Sequence, residues 1–227
     1  GVKGESNIRI NARWIPTLKT KEALNHLKRG DKWIYKGHIV LEFPSDHGDY
    51  HEVELKENSI YFLERITDLF ALNDAVLRSD FEWMVNSNSS GSLHPSVTVI
   101  GPMDQLFIHP SANVLGATLN TTTGPIFIDQ NAEVMEGALI RGPFYLGDHA
   151  GVKMGAKIYG ATTVGPHSKV GGEISNSIIQ GYSNKGHDGF LGNSILGEWC
   201  NLGADTNNSN LKNNYSSVQI WNYDAND

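Results

Sequence analysis

Aliphatic residues recur every six positions through the second half of the chain, at Ile128, Val134, Ile140, Leu146, Val152, Ile158, Val164 and Val170. An amphipathic helix repeats near 3.6 residues and a half-buried strand near 2, so an unslipped period of six excludes either as the repeating unit. A second register is locked to the first. Four residues after each aliphatic position stands a residue that is usually small: Ala132, Ala138, Ala150, Ala156, Thr162 and Ser168, with Phe144 and Ile174 as exceptions. Both registers follow if each hexad is a short strand plus a turn and three hexads close one triangular coil. The aliphatic side chain then points inward and stacks on its counterpart three hexads away, and the small residue faces inward near a corner. Gly147, Gly165, Gly171 and the stretch Asp129, Gln130, Asn131 supply turns between the strands. The predicted architecture is mainly β, a parallel β-helix.

Weaker hexads precede this run at Ile108 and Val114, and residues 120–124 bulge before Ile126. The pattern resumes at Leu191, Leu196 and Leu202, with one five-residue step. Between Ile179 and Phe190 it breaks. An inserted loop is expected there, and loops on rigid scaffolds are where function concentrates.

Residues 1–95 read as a small α/β unit. NIRINARWIP suggests a strand entering a proline turn, and TKEALNHLKRGD a short capped helix stopped by Gly30. DKWIYKGHIVLEF suggests a hairpin turning at Lys36 and Gly37. From Ile60 to Val85 the apolar spacing predicts two helices separated near Asn73, and residues 86–92 a polar linker. The boundary between the two parts is placed at residue 95, giving domains 1–95 and 96–227. Asp46, His47, Asp49 and His51 cluster within six positions, a composition that more often forms a solvated turn, and no metal ligand set is assigned.

Bulk properties narrow the functional classes. With 18 Lys+Arg against 25 Asp+Glu and no long basic run, nucleic acid and anionic membrane are poor partners. No apolar stretch approaches a membrane span. The single cysteine, Cys200, makes no internal disulfide, which suits a reducing cytoplasm. Cys200 has no nucleophile arrangement around it and is read as structural. His149 and His167 fall at turn positions of their hexads and are read as surface residues.

The broken segment carries SNKGHDGFLGNSILGEWCNLGADTNNSNLKNNY, residues 183–215. His187 lies in its glycine-rich loop beside Lys185, and Asn201, Asn207, Asn208, Asn210, Asn213 and Asn214 follow, interrupted by Lys212. Two readings stand on the residues alone. An imidazole accepts a proton at neutral pH, and amides orient hydroxyls and amines without adding charge, which suits transfer onto a sugar. Equally, a histidine in a glycine-rich loop is often merely exposed, and asparagine runs often stabilise their own turns.

The segment GHDGFLGNSILGEWCNLGADTNNSNLK resembles the acetyltransferase core of the bifunctional glucosamine-1-phosphate N-acetyltransferase / N-acetylglucosamine-1-phosphate uridylyltransferase family. The likeness is to its variant Bacteroidetes-type form and the related archaeal enzymes, and it runs loosely through residues 1–95 as part of a nucleotidyltransferase-like domain. The resemblance implies a left-handed β-helix that assembles as a homotrimer. It implies a cytoplasmic acetyl-CoA-dependent N-acetyltransferase of an amino-sugar phosphate, in a pathway to UDP-N-acetylglucosamine and the cell envelope. Acetyl-CoA is then a co-substrate and no cofactor is tightly bound; Mg2+ would serve only a nucleotidyltransferase part. By position His187 falls on the family's catalytic histidine, Asn201 and Asn210 on substrate-contacting asparagines, and Gly203 and Ala204 on backbone beside acetyl-CoA.

Departures from the family pattern matter as much. Tyr159 stands roughly where a phosphate-binding arginine is expected, Ser175 for a lysine and Phe190 for a tyrosine. Arg141, Lys153, Lys157, Lys185 or Lys212 are the cations available to replace those lost, with Lys185, Lys212 and Tyr159 assigned to the substrate. The nucleotidyltransferase signature, a glycine-rich loop with an arginine and a lysine, is absent, so uridylyl transfer is not expected. The chain is expected to be an internal fragment of a longer protein. Two alternatives are carried: an acyltransferase of a nucleotide-linked amino sugar, and a β-helix that trimerises and regulates a nucleotidyltransferase.

Overall fold

The computed structural model describes residues 7–56, 60–85, 90–208, 211–217 and 221. From residue 98 the chain winds through three parallel sheets of six, six and five strands, each strand pairing with the one a full coil away. This is the parallel β-helix that the six-residue period predicts. Each sheet contributes one inward column. The Ile140 face stacks Leu119, Ile140, Ile158, Ile174 and Leu191, paired in register. The Leu146 face stacks Ile108, Ile128, Leu146, Val164, Ile179 and Leu196. The Val152 face stacks Val114, Val134, Val152, Val170 and then Lys185. The aliphatic members from Ile108 to Leu191 are buried and form a single cluster. Burying each contributes about 1.5–3 kcal/mol relative to exposure.

The small register is equally well explained. Ala132, Ala138, Ala150, Ala156, Thr162 and Ser168 are all buried where the chain rounds the corners. Phe144, one of its exceptions, is buried in register with Ile126 and Thr162, so a ring fills that space in one coil. Ile174 is no exception, because it belongs to the aliphatic column: the step from Val170 to Ile174 is four residues where the preceding coil, Val152 to Ile158, uses six.

That shortened step corrects the expectation of an insertion between Ile179 and Phe190. The steps from Ile179 to Lys185 and from Lys185 to Leu191 are each six residues, so nothing is inserted. The repeat looked broken because a lysine occupies an inward position and because the corner beneath it, Gly171–Gly172, is two residues short.

The first part forms β1 (Arg9–Ile10), β2 (Trp14–Ile15), α1 (Leu18–Leu24), β3 (Asp31–Tyr35), β4 (His38–Glu42), β5 (His51–Glu54), β6 (Tyr61–Phe62), α2 (Asp68–Ala71) and α3 (Asn73–Val85). The predicted hairpin is β3–β4, turning through Lys36 at φ 46° and Gly37 at φ 78°. Helix α1 is capped by Thr17, whose side chain accepts from Thr20 N while Thr20 Oγ1 accepts from Thr17 N. A helix beginning at Ile60 is not observed. Ile60 and Phe62 are buried, and β6 pairs antiparallel with β2, so this stretch follows a two-residue alternation. Asp68 Oδ2 accepts the N–H groups of Glu64 and Arg65 at 2.7 Å each and delays the helix start to residue 68. In the predicted linker, residues 86–89 lie outside the described residues, and Ser90 Oγ accepts Ile108 N–H at 3.3 Å.

Helix α3 lies against the outside of the Leu146 face. Phe81 packs with Phe107 and Phe127 in a buried aromatic cluster, and Asn73 Nδ2 donates to Ala161 O at 2.8 Å. These contacts fix the outer wall of one face. Among the described residues no helix is long and apolar enough to cross a membrane.

Candidate active site

His187 sits on the corner between the Val152 and Ile140 faces, in the four-residue loop 186–189, and is exposed. Among the described residues no side chain hydrogen-bonds its ring. The backbone of the loop is held from below by Lys185. This side chain is fully buried, and its ammonium donates to the carbonyl oxygens of His187 at 2.5 Å, Asp188 at 3.3 Å and Gly171 at 3.5 Å. Three carbonyls match the three protons of an ammonium. Burial holds the Lys185 ammonium below the ordinary lysine range, opposed by the carboxylates of Asp188 and Asp205. The assignment of Lys185 to substrate is therefore corrected: its charged end faces the inside of its own loop.

Short glycines make room for this arrangement. A Cβ on Gly172, at φ 73°, would lie 2.7 Å from Gly189 O and 2.9 Å from His187 O; one on Gly171 would lie 2.6 Å from Gly186 O. The next coil covers the loop from above, with Asp205 N donating to Asp188 O at 3.1 Å. Gly203 and Ala204 lie in that covering corner and are exposed, one coil above His187. Asn201 precedes them, exposed, its backbone bridged to Asn184. The fold thus gathers His187, Asn201, Gly203 and Ala204 at one edge of adjacent coils.

Other predicted residues lie elsewhere. Tyr159 is on the outer Ile140 face, 42% exposed, and its ladder runs through Ser175 to Gly192, about 10 Å away at two strand spacings. Arg141 and Lys157 flank it around a shallow hollow of about 260 Å³, with Ile100, Leu139 and Asn120. Lys212 is exposed and donates to Ser217 O at 3.1 Å in its own turn. Asn210 lies outside the described residues. In the early cluster, Asp46 pairs with Arg29 at 2.5 Å and His51 Nδ1 lies 3.4 Å from Asp31 Oδ1.

The asparagine run does structural work that its composition left open. Asn208 Oδ1 accepts Gly192 N–H at 2.9 Å while its Nδ2 donates to Gly192 O at 3.0 Å and Ser194 Oγ at 2.8 Å. Asn207 Oδ1 accepts Phe190 N–H at 2.7 Å. Two side-chain amides therefore extend the hydrogen-bond ladder of the Ile140 face, beside a backbone bond from Asn208 N to Phe190 O at 3.0 Å. The readable signal was spacing, since Gly192 to Asn208 is sixteen residues, as is Tyr159 to Ser175.

Sequence reasoning also passed over a cluster. Asp148, His149 and His167 each bring one possible metal-ligating atom within 4.8 Å of the others. His149 and His167 are exposed, as their turn positions predict, and stand on consecutive coils with stacked rings 5.0 Å apart. Both adopt left-handed backbone, φ 55° and 59°, a conformation that disfavours a residue with a Cβ by about 1–2 kcal/mol.

The fold and corner loop define a parallel β-helix with a backbone-clamped, solvent-facing histidine. Set against known proteins, the family model described as sugar nucleotidyl transferase matches residues 2–89. No curated protein matches the chain. Among solved structures, the chain is similar to a mutant perosamine N-acetyltransferase from Caulobacter crescentus in complex with CoA and GDP-perosamine. Identity is 14%, over 68% of this chain and 81% of that one, with a TM-score of 0.22.

Proposed function

We propose that the chain carries the acyl-transfer part of an enzyme making UDP-N-acetylglucosamine: a cytoplasmic, acetyl-CoA-dependent N-acetyltransferase of glucosamine 1-phosphate. Residues 96–227 would form the acyltransferase domain and residues 1–95 part of a nucleotidyltransferase-like domain. The observation that carries the reading is the exposed His187, on a loop whose carbonyls are fixed by a buried ammonium. The match of residues 2–89 to sugar nucleotidyl transferases supports the sugar-nucleotide context.

In this mechanism the His187 imidazole accepts a proton from the sugar amine as nitrogen attacks the thioester carbonyl. The C–N bond forms, the C–S bond breaks, and the thiolate leaves as coenzyme A thiol after taking up a proton. Asn201 and, from sequence alone, Asn210 hold the amine, and the Gly203–Ala204 backbone lies along the acyl donor. General-base help of this kind contributes roughly 10²–10⁴-fold. The assembly is proposed as a homotrimer with sites between subunits.

The experiment is thiol release from acetyl-CoA by the full-length protein with glucosamine 1-phosphate. Stoichiometric release with an N-acetylated product is expected; no release with any amino sugar would contradict the reading. A second reading is favoured by the uncharged ladder Tyr159–Ser175–Gly192: the acceptor is a nucleotide-linked amino sugar. A rate indifferent to the 1-phosphate but raised by a nucleotidyl group would select it.

A further inference from the structure

The corner between the Leu146 and Val152 faces carries one left-handed residue in each of five successive coils: Asn131, His149, His167, Tyr182 and Trp199, with φ between 54° and 59°. The corner between the Val152 and Ile140 faces meets the same demand with glycine at Gly116, Gly137, Gly155, Gly172 and Gly189. Glycine meets it without steric conflict and asparagine with little. Four successive ring-bearing side chains hold the first corner against that preference.

Their rings stand in single file. Centroids are 5.0 Å apart for His149–His167, 4.9 Å for His167–Tyr182 and 4.6 Å for Tyr182–Trp199, with planes within 20° of parallel. The backbone locks the file, since His149 N donates to Gln130 O at 3.1 Å and His167 N to Asp148 O at 2.9 Å. At the imidazole end Asp148 Oδ1 lies 2.5 Å from His149 Nδ1.

One donor atom from each of Asp148, His149 and His167 lies within 4.8 Å of the other two. Around an ion with bonds of about 2.0–2.2 Å, neighbouring donors sit about 3 Å apart. Binding therefore requires the two exposed imidazoles to turn toward each other and His167 to leave its stack on Tyr182. We propose that Asp148, His149 and His167 bind a divalent transition-metal ion of the zinc, nickel or copper class. Two imidazoles and one carboxylate suit those ions, whereas calcium and magnesium require shells of oxygen. The remaining coordination positions face solvent. A bound ion would staple consecutive coils at an edge separate from the His187 corner, so the inference is independent of the proposed acyl transfer.

The test is calorimetric titration of the metal-free, untagged protein with Zn2+, Ni2+ and Ca2+, with Co2+ absorption as a second readout. One ion of zinc or nickel per chain is expected, with low-micromolar dissociation and a Co2+ spectrum of mixed nitrogen and oxygen ligation. His149→Asn and His167→Asn, which suit the left-handed corner as Asn131 does, are each expected to weaken binding at least about tenfold, and Asp148→Asn by about tenfold. His47→Asn and His51→Asn should leave it unchanged. Binding only at millimolar metal, or equal affinity in the double variant His149→Asn/His167→Asn, would overturn the proposal.

Discussion

The ammonium of Lys185 donates to the carbonyl oxygen of His187 at 2.5 Å, from a column position that Val114, Val134, Val152 and Val170 hold in earlier coils. A side chain that would pack the core is replaced by one that reaches from the core to the loop bearing His187. Lys185→Met retains much of the apolar stem and removes the three donated hydrogen bonds. Amide hydrogen exchange at Glu173 and Asp205, whose N–H groups donate to Gly189 O and Asp188 O of this loop, is expected to accelerate by about tenfold or more, while the inner strands keep their protection. Unchanged protection at these two amides would show that the ammonium is not the tether.

The same lysine predicts a pH dependence. Burial holds its folded-state pKa below the ordinary value of 10.5. Between the two values the unfolded chain binds more protons than the folded one, so the Lys185 contribution to stability rises with pH and levels off above 10.5. Urea midpoints for wild type and Lys185→Met between pH 8 and about 10.5 should move in favour of wild type as pH rises. A constant difference would contradict the burial argument.

Two glycines with similar backbone separate conformational strain from collision. Gly155 has φ 69° and nothing within 4 Å of a built Cβ, whereas Gly172 has φ 73° and two carbonyl oxygens closer than 3 Å. Gly155→Ala should cost about 1–2 kcal/mol from the left-handed conformation alone. Gly172→Ala should cost more and displace the His187 loop, lowering acetyl transfer. Equal unfolding free energies for the two variants would rule out the close approach.

Asn208 closes the ladder above Gly192 through three hydrogen bonds. Asn208→Ala leaves partners unpaired and is expected to lose about 1–3 kcal/mol, read as faster exchange confined to the last coil. Protection spread evenly through the β-helix would argue against this capping role.

Most of the β-helix was legible because a six-residue period is local: Ile128 to Val170 could be counted without knowing any contact. Lys185 was not, because lysine reads as exposed and only the register with Val170 reveals that it points inward. The apparent break at residues 180–190 came from that lysine and from a shortening one coil earlier, at Gly171–Gly172. Within the candidate site, His187 stood out in its glycine-rich loop, whereas Gly203 and Ala204 were placed only by the family resemblance and not by any local signal. The use of Asn207 and Asn208 as a ladder was not legible, because side-chain pairing to Phe190 and Gly192 depends on coil length. The His149–His167 stack escaped for a similar reason: positive φ is invisible in sequence, although their spacing of eighteen residues is one full coil.

His187 is proposed as the proton acceptor in acyl transfer. The most direct measurement of this role is coenzyme A thiol release by His187→Ala in the full-length protein. Because the side chain is exposed and its ring has no hydrogen bond among the described residues, thermal stability should be unchanged while the rate falls by roughly 10²–10⁴-fold. A variant that folds normally and keeps nearly full rate would show that His187 is not the proton acceptor.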